Sequence, residues 1–394
     1  MAVQPISPGE FAERRLRLRE RVTREHMNGY VLFDPAYIQY FTGFRFLSNE
    51  RPIAYAQNAD GDDAIFVPEF EVERTQAEAS FDRIESYEEY PGDEHPMLGL
   101  ARVTDDLGLR GRIGADSDGY PGILGYEGPP LNEVTGEHVV AINASVEAML
   151  RRKSPAEIEL IRESGRWCAQ AHRLLQEHSR PGATEAEASL RAAQESTLAM
   201  LAEAGHTGQL GSADGVKAGY RGQIGRRSAW AHAVAHNIEF RPGDVHVTET
   251  GAPVWGYSAD LERALVVGEP THRMVVLFEH MLGARRAAFD ALRHGVTCAD
   301  VDRAVLGYFE KNDLLPYWRQ HTGHAIGLRN HEAPFLDVGD HTRIEPGMVF
   351  TIEPGVYDPE VGGFRHSDTV AVTDAGIDFL TDYPADLESL IVPA

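Results

Sequence analysis

The chain has 394 residues, 42% of them hydrophobic and 25% charged, and a formal net charge of −24. That length can bury a large core and favours two domains, while the acidity opposes nucleic acid and anionic membrane surfaces as partners. No apolar run approaches the roughly 18–20 residues that span a bilayer, and the N-terminus has no apolar stretch of a secretory signal, so a cytoplasmic location is expected.

The opening MAVQPISPGEFAERRLRLRER reads as an exposed, arginine-rich helix. A strand over Tyr30 to Phe33 ends at a turn, Asp34-Pro35. Further strands are expected at AIFVPEF (64–70), RIGADS (112–117) and HVVAIN (138–143), with helical pieces between them, one near 70–80. Strands alternating with helices predict an α/β domain over 1–150.

The boundary falls near 150. Ser154, Pro155 and Glu157 carry a helix-start signature: N-cap, proline at the first position, and a capping-box acid. Ile158, Ile161, Cys168, His172 and Leu175 recur at helical spacing on one core-facing stripe. Helices follow over 184–204, 271–292 and 298–312. From 243 onward the pattern is strands and turns, so 151–394 is expected to be α+β, with helices on one side of a mostly antiparallel sheet.

Cys168 and Cys298 belong to no CxxC pair, which opposes a disulfide framework or a thiolate zinc site. Of the 37 basic residues only Lys153, Lys217 and Lys311 are lysine. An acidic, lysine-poor chain predicts adaptation to high salt.

Ligand-type side chains concentrate in separated segments: Glu249, Asp260 and Glu262; His321, His324, His331 and Glu332; Glu353; His366 and Asp368; and His232 with His236. Asp260 and Glu262 sit two apart in a strand-like run, so they share a face. Carboxylates inside apolar strands call for a cation, a proton or an arginine. Mixed carboxylate and imidazole donors suit a divalent ion such as Mn²⁺.

The stretches YIQYFTGF, RRKSPAEIELIR, TGAPVWGYSADLERAL, HTGHAIGLRNHEAPF, EPGMVFTIEPGVY and GGFRHSDTVAVTD resemble the creatinase, prolidase, aminopeptidase P and methionine aminopeptidase family. The resemblance implies a pita-bread C-terminal domain over 151–394, preceded by a smaller creatinase-type N-terminal α/β domain, and a homodimer. It implies metal ligands at Glu249, Asp260, His324 and Glu353, with Glu249 standing where the family has aspartate. The family's last glutamate, which bridges two ions, falls on Ser367. One ion (Mn, Co or Zn) is therefore expected rather than two, and a metal-free site stays open.

The resemblance also places a catalytic or substrate-binding histidine at His232, a second at His331, and an ordering arginine at Arg365. His236 and His321 match no family role, and His366 is turned away from the site by strand alternation. DLER at 260–263 joins the peptidase aspartate to a creatinase-like glutamate. Glu262 therefore has three readings: a compensating metal ligand, an anchor for a cationic substrate group, or an arginine's partner.

The expected activity is hydrolysis of a C–N bond, first as metal-assisted cleavage of an Xaa-Pro-type peptide, with Glu353 or Glu262 accepting the proton. The alternatives are a metal-free, creatinase-like hydrolase of a small cationic nitrogenous solute, with His232 as base, and a non-catalytic peptide-binding fold-mate.

Overall fold

Asp34-Pro35 begins a helix where the sequence reading placed only a turn. The Asp34 carboxylate accepts the Ala36 N–H at 2.8 Å, Pro35 takes the first position, and Gly43, at φ 78°, ends the helix Pro35–Thr42. An N-cap acid followed by proline is a helix-start signal, and the aromatic residues behind it, Tyr37, Tyr40 and Phe41, supply the buried face. The structure, a computed structural model, describes residues 4–79, 81–204 and 215–394.

The chain divides into two units, Ile6–Leu150 and one built on Arg151–Ala394. The first has a six-stranded sheet in the order Arg83–Tyr87, Asp63–Pro68, Ala54–Asn58, Gly29–Leu32, Arg112–Ala115, His138–Ala141. Parallel pairs flank an antiparallel centre at Ala54–Asn58. Two of these strands, AYAQN and RIESY, have too little apolar alternation to announce themselves. The first helix, Pro8–Arg24, is not merely an exposed one. Leu18 and Val22 are buried, and Arg14 donates to the Tyr40 carbonyl at 2.8 Å with its guanidinium 4.1 Å from the Tyr40 ring centre.

In the second unit the helix Pro155–His178 starts with the full capping box of Ser154 and Glu157. Ile161, Cys168, His172 and Leu175 are buried on its inner face. Gly165 lets this helix approach closely, since a Cβ there would lie 2.0 Å from the Leu380 carbonyl oxygen. Helices Glu185–Ala204, His272–Ala291 and Cys298–Lys311 follow.

The expected single sheet is instead several small ones, of two, three, three and five strands, antiparallel except where Val266–Val267 runs parallel to Ile391–Val392. Runs such as 243–268 are broken by turns at Trp255 and Gly256, both at positive φ, so each strand stays short. Helices His272–Ala291 and Cys298–Lys311 close one apolar core with Leu265, Phe350, Ile352 and Phe364. Leu174, Leu175, Ala188, Ala192, Tyr220 and Phe240 form a second cluster. Among the described residues no helix is long and apolar enough to cross a membrane.

Candidate active site

The site is laid out by one three-stranded sheet. Asp260 pairs with Gly251, and Gly251 with Lys217; two rows on, Glu249 pairs with Gly219. Paired residues on neighbouring strands project to one face. Lys217, Gly251, Asp260 and Glu249 therefore share a face, while Ala218, Thr250 and Leu261 point the other way. This face lines a cavity of about 420 Å³ together with His324, His331 and Glu353, a size ordinary for small-ligand pockets.

Asp260 is fixed by its backbone. Its N–H donates to Thr369 Oγ1 at 2.9 Å, and Thr369 Oγ1 donates to its carbonyl at 3.0 Å. Its Oδ1 is buried and makes no hydrogen bond. Burial, then the charges of Glu262, Glu249 and Glu353, push the Asp260 carboxyl well above the usual range.

His324 lies on the strand Gly323–Ala325, buried, with Nδ1 3.0 Å from the Ala325 carbonyl and Nε2 3.3 Å from Glu353 Oε1. A carbonyl only accepts, so Nδ1 carries the proton. Burial drives this imidazole down to about 3, which leaves Nε2 with a lone pair aimed at a carboxylate oxygen. Burial, then the charge of Glu262, lifts Glu353 to about 8.

Ligand atoms of Asp260, His324 and Glu353 all lie within 4.8 Å of one another. Two facing acceptors and an unsatisfied buried Oδ1 form a donor-poor nest that a cation completes. These residues fit one divalent ion.

The sequence-derived set is otherwise divided. Glu249 does not join this cluster: its Oε2 is held by Arg221 Nη1. Glu262 is buried, and an arginine partner is present beside it. Both its oxygens accept from Arg365, one from Nη2 at 2.6 Å and the other from Nε. The planar guanidinium grips the carboxylate in a fork, one N–H to each oxygen, and balances its charge.

Arg365 also donates from Nη1 to the Ala231 carbonyl at 3.1 Å, and Gln223 Nε2 donates to the same carbonyl at 3.2 Å. His232, the next residue, is thereby held at the rim of the cavity. Burial, then the charges of Arg221 and Arg365, lowers the His232 imidazole.

His331 stacks on His324, ring centres 3.8 Å apart and planes 14° from parallel. Its neighbour Glu332 bonds Lys153 Nζ at 2.6 Å in a buried pair. His321, which sequence reasoning left without a role, lines the cavity, and His236 is exposed. His366 is fully buried against the Phe278 ring, 5.2 Å away, with neither nitrogen bonded. Ser367 is buried opposite Glu262, and its Oγ makes no hydrogen bond. Sequence reasoning missed Arg221, Gln223 and Thr369, because the pairing partners lie 28, 8 and 109 residues from what they hold.

Residues 159–374 match Metallopeptidase family M24, and residues 14–122 match the Creatinase/Prolidase N-terminal domain. The chain is 30% identical over 386 residues to the probable dipeptidase PepE of Mycobacterium tuberculosis, covering 98% of this chain and 97% of that protein. It is 36% identical over 163 residues to the Xaa-Pro dipeptidase of Pyrococcus furiosus, 41% of this chain and 47% of that one. The crystal structure of dipeptidase PepE from Mycobacterium ulcerans superposes with a TM-score of 0.83 at 26% identity, covering 99% of this chain and 100% of the other. With a pita-bread unit that carries the acidic and imidazole cluster and follows a creatinase-type N-terminal unit in sequence, the chain belongs to metallopeptidase family M24.

Proposed function

We propose that this peptidase hydrolyses the peptide bond of dipeptides, Xaa-Pro dipeptides foremost, with a single divalent ion held by Asp260, His324 and Glu353. The observation that carries the reading is the convergence of three acceptor-bearing side chains within 4.8 Å. Mixed oxygen and nitrogen donors suit Mn²⁺, Co²⁺ or Zn²⁺. The dipeptide specificity follows the names of the relatives, the probable dipeptidase PepE and the Xaa-Pro dipeptidase.

When bound, the ion supplies Lewis-acid polarisation of the scissile carbonyl and acidifies a water. The protein's own groups do the rest. Glu353, whose Oε1 lies 3.3 Å from His324 Nε2 on the cavity wall, is the carboxylate placed to take up and return a proton. Glu262 is committed to Arg365 and does not serve as the base. His232 and His331, both lowered by burial first, stand neutral at the cavity wall as donors to the oxyanion of the tetrahedral intermediate. His232 is oriented through the Ala231 carbonyl, and His331 through its stack on His324.

The creatinase-like alternative needs Glu262 free for a substrate cation, and its carboxylate is already paired with a guanidinium. A homodimer in the cytoplasm of a salt-adapted cell completes the proposal; the −24 charge and the three lysines among 37 basic residues support salt adaptation. The test is hydrolysis of a dipeptide panel by protein stripped with chelator and reloaded with Mn²⁺. Cleavage of Xaa-Pro dipeptides only after reloading is expected. Chelator-resistant turnover, or none on any dipeptide, would overturn the reading.

A further inference from the structure

The cavity's charges fall into three sets. Arg221 is paired with Glu249, and Arg365 with Glu262. Asp260 and Glu353 face each other with His324 around the ion position. Left over are two exposed cations of the lining, Lys217 and Arg319. Among the described residues neither has an ion pair; Arg319 Nη1 donates only to the Pro316 and Trp318 carbonyls. A divalent ion neutralises Asp260 and Glu353, and the cavity then carries unbalanced positive charge in a chain of net charge −24. A pocket of that sign within an acidic protein draws an anion.

Register makes Lys217 the better placed of the two. Lys217, Gly251 and Asp260 form one row across three strands. Two strand spacings, roughly 10 Å, separate the backbone of Lys217 from that of Asp260. The residue between them has no side chain, and a Cβ on Gly251 would touch only the Ala259 carbonyl oxygen, at 3.9 Å. The gap is open, with the candidate ion ligand at one end and a free ammonium at the other.

We propose that Lys217 is a specificity-determining residue that binds a carboxylate of the substrate while the scissile carbonyl lies at the Asp260 end of the row. This rests on the peptidase reading above and adds the substrate class: peptides that present a carboxylate one residue from the scissile bond. The carboxylate comes from the C-terminus of a dipeptide or from an acidic side chain. A charge-assisted hydrogen bond of this kind corresponds to about tenfold or more in affinity.

The experiment compares Ala-Pro, Ala-Pro amide and Ala-Asp amide, whose only carboxylate is the side chain of the residue after the scissile bond, in wild type, Lys217→Gln and Lys217→Arg. KM and kcat are measured on the Mn²⁺-loaded protein, and the binding of any peptide that is not cleaved is measured by calorimetry on the same loaded protein. Wild type is expected to favour Ala-Pro over its amide about tenfold or more in KM, with kcat nearly constant. Lys217→Gln abolishes that preference, and Lys217→Arg keeps it. Recovery of binding by Ala-Asp amide assigns the subsite to either carboxylate at that residue; failure of that peptide restricts it to the dipeptide C-terminus. If no peptide is cleaved but calorimetry still shows the lysine-dependent preference for acid over amide, the reaction assigned above fails and the carboxylate subsite stands. Equal binding of acid and amide by wild type, or an equal loss of both in Lys217→Gln, overturns the assignment.

Discussion

Glu262 and Ser367 face each other across an antiparallel bridge, each backbone N–H donating to the other's carbonyl, at 3.2 and 3.1 Å. Residues opposed in this way have Cβ atoms about 4.5–5.5 Å apart on a common face. The carboxylate that family resemblance expects at position 367 is thus present one strand away, at 262. There it is spent on Arg365, so it restores the local charge without restoring an ion ligand. The double variant Glu262→Thr/Ser367→Glu moves the carboxylate back across the bridge and keeps the buried volume nearly constant. It should bind two Mn²⁺ per chain by calorimetry where the natural sequence binds one. An unchanged stoichiometry would show that this pair does not set the ion count.

Arg365 and Glu262 are both 2% exposed. Removing one partner of such a pair leaves a buried charge uncompensated, at a cost of about 3–5 kcal/mol, whereas removing both is far milder. Urea denaturation of Arg365→Met should show the full loss, and Glu262→Met/Arg365→Met should recover most of it.

His232 is proposed as an oxyanion donor, and among the described residues it has no hydrogen bond or ion pair to the three proposed ion ligands. His232→Ala should lower kcat about 10²-fold, the scale of losing one such donor, and leave Mn²⁺ affinity unchanged. A parallel loss of Mn²⁺ binding would instead make His232 part of the ion site.

His246 is fully buried against Phe240 and Tyr220, with ring centres 4.3 and 5.5 Å away, and neither nitrogen has a partner. Burial depresses it to about 3. In the unfolded chain it titrates near 6.5. The unfolded state therefore takes up the proton first, and stability is lost as pH falls from about 6.5 toward 3. Between pH 6.5 and 5 this one residue accounts for about 2 kcal/mol. His246→Phe should flatten that part of the pH–stability curve measured in urea. An unchanged slope would show that His246 carries a proton in the folded chain.

Much of the frame was legible because local chemistry declared it. The Ser154 capping box and the 158, 161, 168, 172, 175 stripe predicted a helix that the structure contains, buried on that face except at Ile158, which is half-buried. Asp260, His324 and Glu353, three of the four ion ligands that the family resemblance implies, do meet, while the fourth, Glu249, pairs with Arg221. What stayed hidden depends on pairing at a distance. Nothing around Glu249 or Glu262 announces that Arg221 and Arg365 neutralise them, since the arginines come from other strands and loops. Nor does the sequence reveal that Lys217 and Asp260 share a row, because that follows from register rather than from composition. The strand Ala54–Asn58 escaped notice for the opposite reason: its neighbours on both sides in the sheet, not its own residues, make it a strand.

The most direct measurement is the number of Mn²⁺ ions bound per chain, by titration calorimetry with elemental analysis, in the natural sequence and in His324→Ala. One ion per chain, lost in the variant while the fold persists by circular dichroism, is the predicted result. Two ions, none, or one ion retained by His324→Ala would contradict a single site built from Asp260, His324 and Glu353.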